Sequence, residues 1–175
     1  TGEQKELGAL VIDIGGGTTE FVVYLDGVIR FSGVLAIGGD HVSNDLGHGL
    51  KVPLSRAEKL KREYGSAFVK EDSKGQTISL TNELGLTLKQ LNLEHLQRIM
   101  SLRLEELFEV IAHELERAGL TDYLRAGILL TGGGSRVPGI DKLAERVFQM
   151  NVIHGHAVTV GGITTALDQP EFAPG

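Results

Sequence analysis

Apolar and polar positions follow two periods along this chain. Near the start, three runs are continuously apolar or alternate: residues 7–12 (LGALVI), 21–25 (FVVYL) and 28–37 (VIRFSGVLAI). Rich in β-branched and aromatic residues, each has the length of a strand. Gly15, Gly16, Gly17, Thr18 and Thr19 lie between the first and second runs. Asp26-Gly27, a strong hairpin signal, lies between the second and third. An antiparallel meander is expected, entered almost at once from Thr1. From residue 41 the period becomes helical, with Val42, Leu46 and Leu50 at i, i+4 spacing behind Gly38-Gly39 and with Asp40 as the capping residue. A second helix is expected over 55–64, with Ser55 and Glu58 as a capping box, Ala57, Leu60 and Tyr64 on one face, and Gly65 at its end. Segments 67–69, 77–80 and 86–88 read as short strands around the polar turn 71–76.

Asn92 then caps a long helix running to Ala118, in which Leu96, Met100, Leu104, Phe108, Ile111 and Leu115 keep the helical period. A face that wide implies packing against a sheet. After Gly119 come a buried strand at 126–130 and a second glycine turn, Thr131-Gly132-Gly133-Gly134-Ser135. Pro138-Gly139 then opens a helix, Ile140–Phe148, and the strands 152–153 and 156–160 follow. Strand, glycine turn and helix in succession make an α/β unit, so the expected fold is a mixed sheet flanked by helices. The more polar middle, 39–90, reads as a small α+β insert in a core built from 1–38 and 91–175. Both ends read as cut, as in a fragment of a longer protein.

Ligands of open α/β sheets bind at the carboxyl ends of strands, and both glycine turns stand at such ends. Asp13 stands at the first. Bare glycine N–H groups with hydroxyls suit phosphate, and a carboxylate suits its magnesium through water. A plain glycine turn with a solvated aspartate remains the alternative for that stretch taken alone.

Composition narrows the partners. The chain has 175 residues and a formal net charge of -6, with no basic stripe, which argues against nucleic acid. Cysteine is absent, excluding disulfides, thiolate metal sites and thiol nucleophiles. No apolar run spans a bilayer. His154 and His156 have the form HxH but read as solvated, and no Ser/His/Asp set is evident.

DIGGGTTE, GGDHVSND, AEKLKREYG and GILLTGGGSRVPGI, in that order, resemble the actin-like ATPases, whose fold is ribonuclease H-like. Within them, the FtsA family of bacterial cell-division proteins is the best match. The resemblance implies two lobes around an ATP cleft, with this chain as the second lobe. Gly15, Gly16, Gly17 and Thr18 would hold phosphates, Asp13 would hold Mg2+, and Gly132, Gly133 and Gly134 would hold the nucleoside. Glu58 and Lys61 match positions that reach ribose and adenine, although a solvated helix face is the ordinary reading of such charges. Thr19 would orient the attacking water or serve the fold. In-line ATP hydrolysis would be slow and would belong to the full-length protein. The implied partners are the tubulin-like division protein FtsZ, through the insert, and further copies in actin-like filaments. The implied location is the cytoplasmic face of the inner membrane, reached through a helix absent from this chain. A vestigial scaffold of the same fold, serving pilus assembly or rod shape, and a sugar or acetate kinase are the alternatives.

Overall fold

The computed structural model describes residues 1–155. The expected strand at 156–160, with His156, lies outside the described residues. Five strands form one sheet in the order β3-β2-β1-β6-β7: β1 (Ala9–Ile14), β2 (Thr19–Leu25), β3 (Val28–Leu35), β6 (Ile128–Thr131) and β7 (Val152–His154). The expected meander is present, with β1–β2 and β2–β3 antiparallel. β6 then pairs parallel with β1, and β7 parallel with β6. A separate two-stranded sheet joins β4 (Thr77–Thr81) to β5 (Thr87–Asn92).

Alternation along the central strands sets the core. Leu10, Ile12 and Ile14 of β1 and Ile128 and Leu130 of β6 are buried. They join one apolar cluster with Leu96, Met100, Leu104, Leu107, Phe108, Ile111 and Leu115 of α4 (Leu93–Arg117). The wide apolar face of α4 thus serves the sheet core, as its period requires. Asn92 caps the helix as expected, its Oδ1 accepting from His95 N at 3.0 Å. α5 (Ile140–Phe148) and α2 (Gly39–Leu50) pack against α4, and α3 (Leu54–Tyr64) packs against α2.

Several local expectations are corrected. Leu7, expected to begin the first strand, ends a short helix, α1 (Gly2–Leu7), and the strand begins at Ala9. Thr1 and Gln4 make a capping box, and Gly8 ends the helix. α3 is not capped by Ser55: Pro53 precedes it, and the Pro53 carbonyl accepts from Arg56 N and Ala57 N, both at 2.9 Å. This moves the helix start back one residue and releases Glu58 from a capping role. Residues 67–69 form no strand. Ala67 N donates to the Pro138 carbonyl at 2.9 Å, and Lys70 N donates to Oε1 of Gln97, also at 2.9 Å. Gln97 is itself buried in α4, so loop and side chain supply the partners that a strand would have supplied. The strand expected at 86–88 lies at Thr87–Asn92, turning Leu91 inward and leaving Leu84, Leu86 and Leu88 exposed.

Three polar ties hold α2. Arg103 of α4 grips Asp45 with two bonds, of 2.5 and 2.9 Å, and Lys89 of β5 donates to the last-turn carbonyl of Leu50 at 2.6 Å. The third tie, to α3, belongs to the candidate site.

Phe108 is buried and meets Phe148 edge-on, with ring centroids 5.7 Å apart. Phe108→Ala is expected to destabilise the fold by about 3–5 kcal/mol. Urea unfolding followed by circular dichroism measures this, and an unchanged midpoint would show that the α4–α5 contact does not hold the core.

Candidate functional site

The ends of β1 and β6 lie side by side, with Asp13 in register with Thr131, and each strand runs into a glycine turn. The second turn packs on the end of β1. A Cβ at Gly132 would overlap Asp13 Oδ1, and one at Gly134 would overlap the Ile14 side chain. Gly132 also has φ of 84°, a conformation that L side chains rarely adopt. Ser135 closes the second turn, its Oγ donating to the Gly132 carbonyl at 2.7 Å. Gly133 opens the short 3-10 turn that follows.

A single bond, Gly15 N to the Thr18 carbonyl at 2.9 Å, closes the first turn. Gly16, Gly17 and Thr18 are exposed. Among the described residues, the Gly16 and Gly17 N–H groups have no protein acceptor, and a Cβ at Gly17 would meet only open space. Successive unpaired N–H groups in a tight turn form an anion-binding concavity. Asp13 stands at its edge, directly across the β1–β2 pair from Glu20. Burial, and then the Glu20 charge, raise the Asp13 carboxyl above its ordinary value of 3.8. A cation beside Asp13 would relieve both effects. Thr19 faces inward: it is fully buried, and its Oγ1 donates to the Ile37 carbonyl at 2.8 Å, tying β2 to the bend before α2.

The start of α2 clamps the first turn. Gly39 N donates to the Gly15 carbonyl at 2.9 Å, and Asp40 N to the Gly16 carbonyl at 2.8 Å. Gly38 lies so close that a Cβ would overlap both carbonyls. Asp40 is not the cap; Gly38 holds that position, and its N–H donates to Nδ1 of His41 at 3.0 Å.

Glu58 and Lys61 reach this clamp from α3. Lys61 Nζ donates to the Gly39 carbonyl at 2.9 Å and lies 2.6 Å from Glu58 Oε2. The buried Ser43 hydroxyl donates to the same carboxylate oxygen, and Arg62 Nε meets Oε1 at 2.9 Å. Burial opposes the Glu58 carboxylate, but hydrogen bonds from Lys61, Ser43 and Arg62, with the Lys61 charge, outweigh it and hold the group at about 2. Glu58 and Lys61 therefore face α2, with side chains 33% and 14% exposed. His41 and Ser43 stand in GGDHVSND, but nothing local marks Ser43 as the partner of Glu58, because a serine four residues after Gly39 looks like any helical serine. Among the described residues, no group of three or more potential ligands could hold a metal ion. No helix among them is long and apolar enough to cross a membrane.

A family model, cell division protein FtsA, matches residues 10–175. This chain belongs to the FtsA family. It is 37% identical to FtsA of Pseudomonas aeruginosa over 175 residues, covering 100% of this chain and 42% of that protein. It is 38% identical to FtsA of Neisseria meningitidis over 174 residues, 99% of this chain and 42% of that one. The chain thus spans less than half the length of these FtsA relatives. MreB5 of Spiroplasma citri bound to ADP superimposes with a TM-score of 0.71 at 23% identity, covering 86% of this chain and 49% of that one. The PilM-PilN type IV pilus biogenesis complex gives a TM-score of 0.69 at 21% identity, with 98% and 44% covered. The fold of this FtsA-family chain is the actin-like one.

A lowered carboxyl contributes stability above its unfolded value and loses it as pH falls through the folded one. Glu58→Gln is therefore expected to be less stable than the parent above pH 4.5, with the gap closing as pH falls from 4.5 towards 2. Thermal unfolding across that range checks this; a gap independent of pH would remove the ionic role of Glu58.

Proposed function

We propose that this chain is the ATP-binding second lobe of an FtsA-like bacterial actin homologue, a polymerising cell-division protein that links the FtsZ ring to the membrane. One observation carries the nucleotide reading: two glycine turns leave adjacent, paired strand ends, the second packed on Asp13 and Ile14 and the first with unpaired N–H groups beside that half-buried carboxylate. Gly15, Gly16, Gly17 and Thr18 would take the phosphates, Asp13 would take Mg2+ through water, and Gly132, Gly133 and Gly134 would admit the nucleoside. Glu58 and Lys61 belong to the wall beside them. The donor set suits a triphosphate, and the ADP held by the MreB relative of the same fold is in keeping with it. ATP supplies a phosphoanhydride; turnover needs the opposite lobe and belongs to the full-length protein. Thr19 supports the turn from below rather than facing a water.

We read residues 1–38 and 91–175 as the nucleotide-binding core and 39–90 as the insert. The insert carries the exposed Leu84, Leu86 and Leu88 on its hairpin. A row of exposed leucines is the kind of surface a peptide tail covers, and we assign it to the FtsZ tail. Self-association into filaments and a place at the cytoplasmic face of the inner membrane follow from the same reading. The FtsA relatives, matched over nearly the whole chain, weigh against a pilus or rod-shape scaffold.

Calorimetric titration of the full-length protein with Mg-ATP is expected to show binding, weakened about tenfold or more by Asp13→Ala, as for loss of a charged partner. No binding, or equal binding by both, would overturn the ATP assignment. A pull-down with the FtsZ C-terminal peptide tests the partner. Capture lost in a Leu84→Ser, Leu86→Ser, Leu88→Ser variant is expected, and capture unaffected by it would move the surface elsewhere.

A further inference from the structure

The first turn of α2 finds partners for its backbone in two places. A helix start leaves its first N–H groups without acceptors inside the helix, and a capping side chain ordinarily supplies one. Gly38 has no side chain to give, and a Cβ there would overlap the Gly15 and Gly16 carbonyls. Those carbonyls take the next two donors, Gly39 N at 2.9 Å and Asp40 N at 2.8 Å. His41 N turns back to the Gly38 carbonyl at 3.1 Å. The Gly38 N–H is left, and Nδ1 of His41 accepts it at 3.0 Å. The half-buried imidazole thus fixes the residue from which the two turn-holding donors start.

Nδ1 accepts only while it carries no proton, so the bond requires the neutral ring with its proton on Nε2. Histidine is the side chain whose charge ordinarily changes between about pH 5 and 8. A proton on Nδ1 would set donor against donor at Gly38. It would also place a cation at a helix N-terminus, where the macrodipole disfavours one. The charged groups around α2 are mostly engaged with one another. Asp45, on the helix, is gripped by Arg103 of α4, which also meets Glu106. Glu58 and Lys61 of α3 are paired, and the Lys61 ammonium on the Gly39 carbonyl adds to the repulsion of a second cation. His48, Lys51 and Lys89 of β5 stand at the far end. Asp40 on α2, and Asp13 and Glu20 across the β1–β2 pair, are the carboxylates at the near end. We propose that His41 is a pH-sensitive positioning residue: unprotonated, it pins the start of α2 onto the phosphate turn, and its protonation loosens that clamp and the hold on a phosphate ligand. The ligand rests on the nucleotide reading above; the bond at Gly38 does not.

The test follows amide protection, corrected for the intrinsic pH dependence of exchange, and Mg-ATP affinity in the full-length protein from about pH 8 to about pH 5.5. In the parent, protection of the Gly38, Gly39 and Asp40 amides is expected to fall about tenfold across that range with the β1–β6 core unchanged. ATP is expected to bind about tenfold more weakly at the low end. His41→Gln keeps an acceptor at the same helix position without titrating, as in a capping box. It is expected to match the parent at the high end and to keep its protection at the low end, and it carries any pH dependence that belongs to the nucleotide itself. His41→Phe is expected to lack the protection at every pH. Protection at the three amides that does not change with pH in the parent would overturn the proposal. So would the same loss in His41→Gln, or a loss spread through the core. Affinity that falls equally in parent and His41→Gln would overturn the link to the ligand. Should neither variant fold, the parent's three amides decide alone. If the parent binds no ATP at any pH, the nucleotide reading falls, and the same amides still decide whether His41 pins the helix.

Discussion

Two parallel strand ends lie so close together that no side chain fits between them. Gly132 and Gly134 pack directly on Asp13 and Ile14, and the rest of the molecule accommodates that contact. The central pair β1–β6 must be buried to hold it, which is why Leu10, Ile12, Ile128 and Leu130 are shielded from solvent and α4 spreads an apolar face across the core. The gain from that burial, roughly 25 cal/mol per Å2 of apolar surface, supports a pair of turns with little stability of their own. The first of them is closed by a single internal bond.

That weak turn depends on α2 from outside. α2 is gripped by Arg103 from α4, by Lys89 from β5, and by Lys61 and Glu58 from α3. Its first two N–H groups then meet the turn carbonyls. The turn is therefore held by two backbone donors of α2, and side chains of α3, α4 and β5 hold α2 in turn.

The periodic parts of the fold were legible in the sequence. The meander, the span of α5, the Asn92 cap and the apolar face of α4 all follow from repeats long enough to leave one solution. The errors lie where backbone groups found partners distant in sequence. Residues 67–69 look like a strand until Gln97 and Pro138 are placed beside them. Ser55 and Glu58 match a capping box, but the Pro53 carbonyl begins the helix and α2 takes the carboxylate. At the site, the glycines and Asp13 were legible because turns and strand ends are local. The clamp was not: it needs Gly39, Ser43 and Lys61 together, and only the packing of α3 on α2 brings them there.

Among the described residues, β3 closes one side of the five-stranded sheet with no neighbour beyond it. Val28, Ile29 and Val34 are exposed along it. Eight residues of open backbone with so much apolar surface are a template for another strand. Arg30 and the irregular register at Val23/Tyr24 are the features that discourage such pairing, since a charge and a bulge both spoil a flat edge. The exposed edge is thus kept from pairing non-specifically by one charge and one irregularity, so that Arg30 counts for more here than its solvent-facing place suggests.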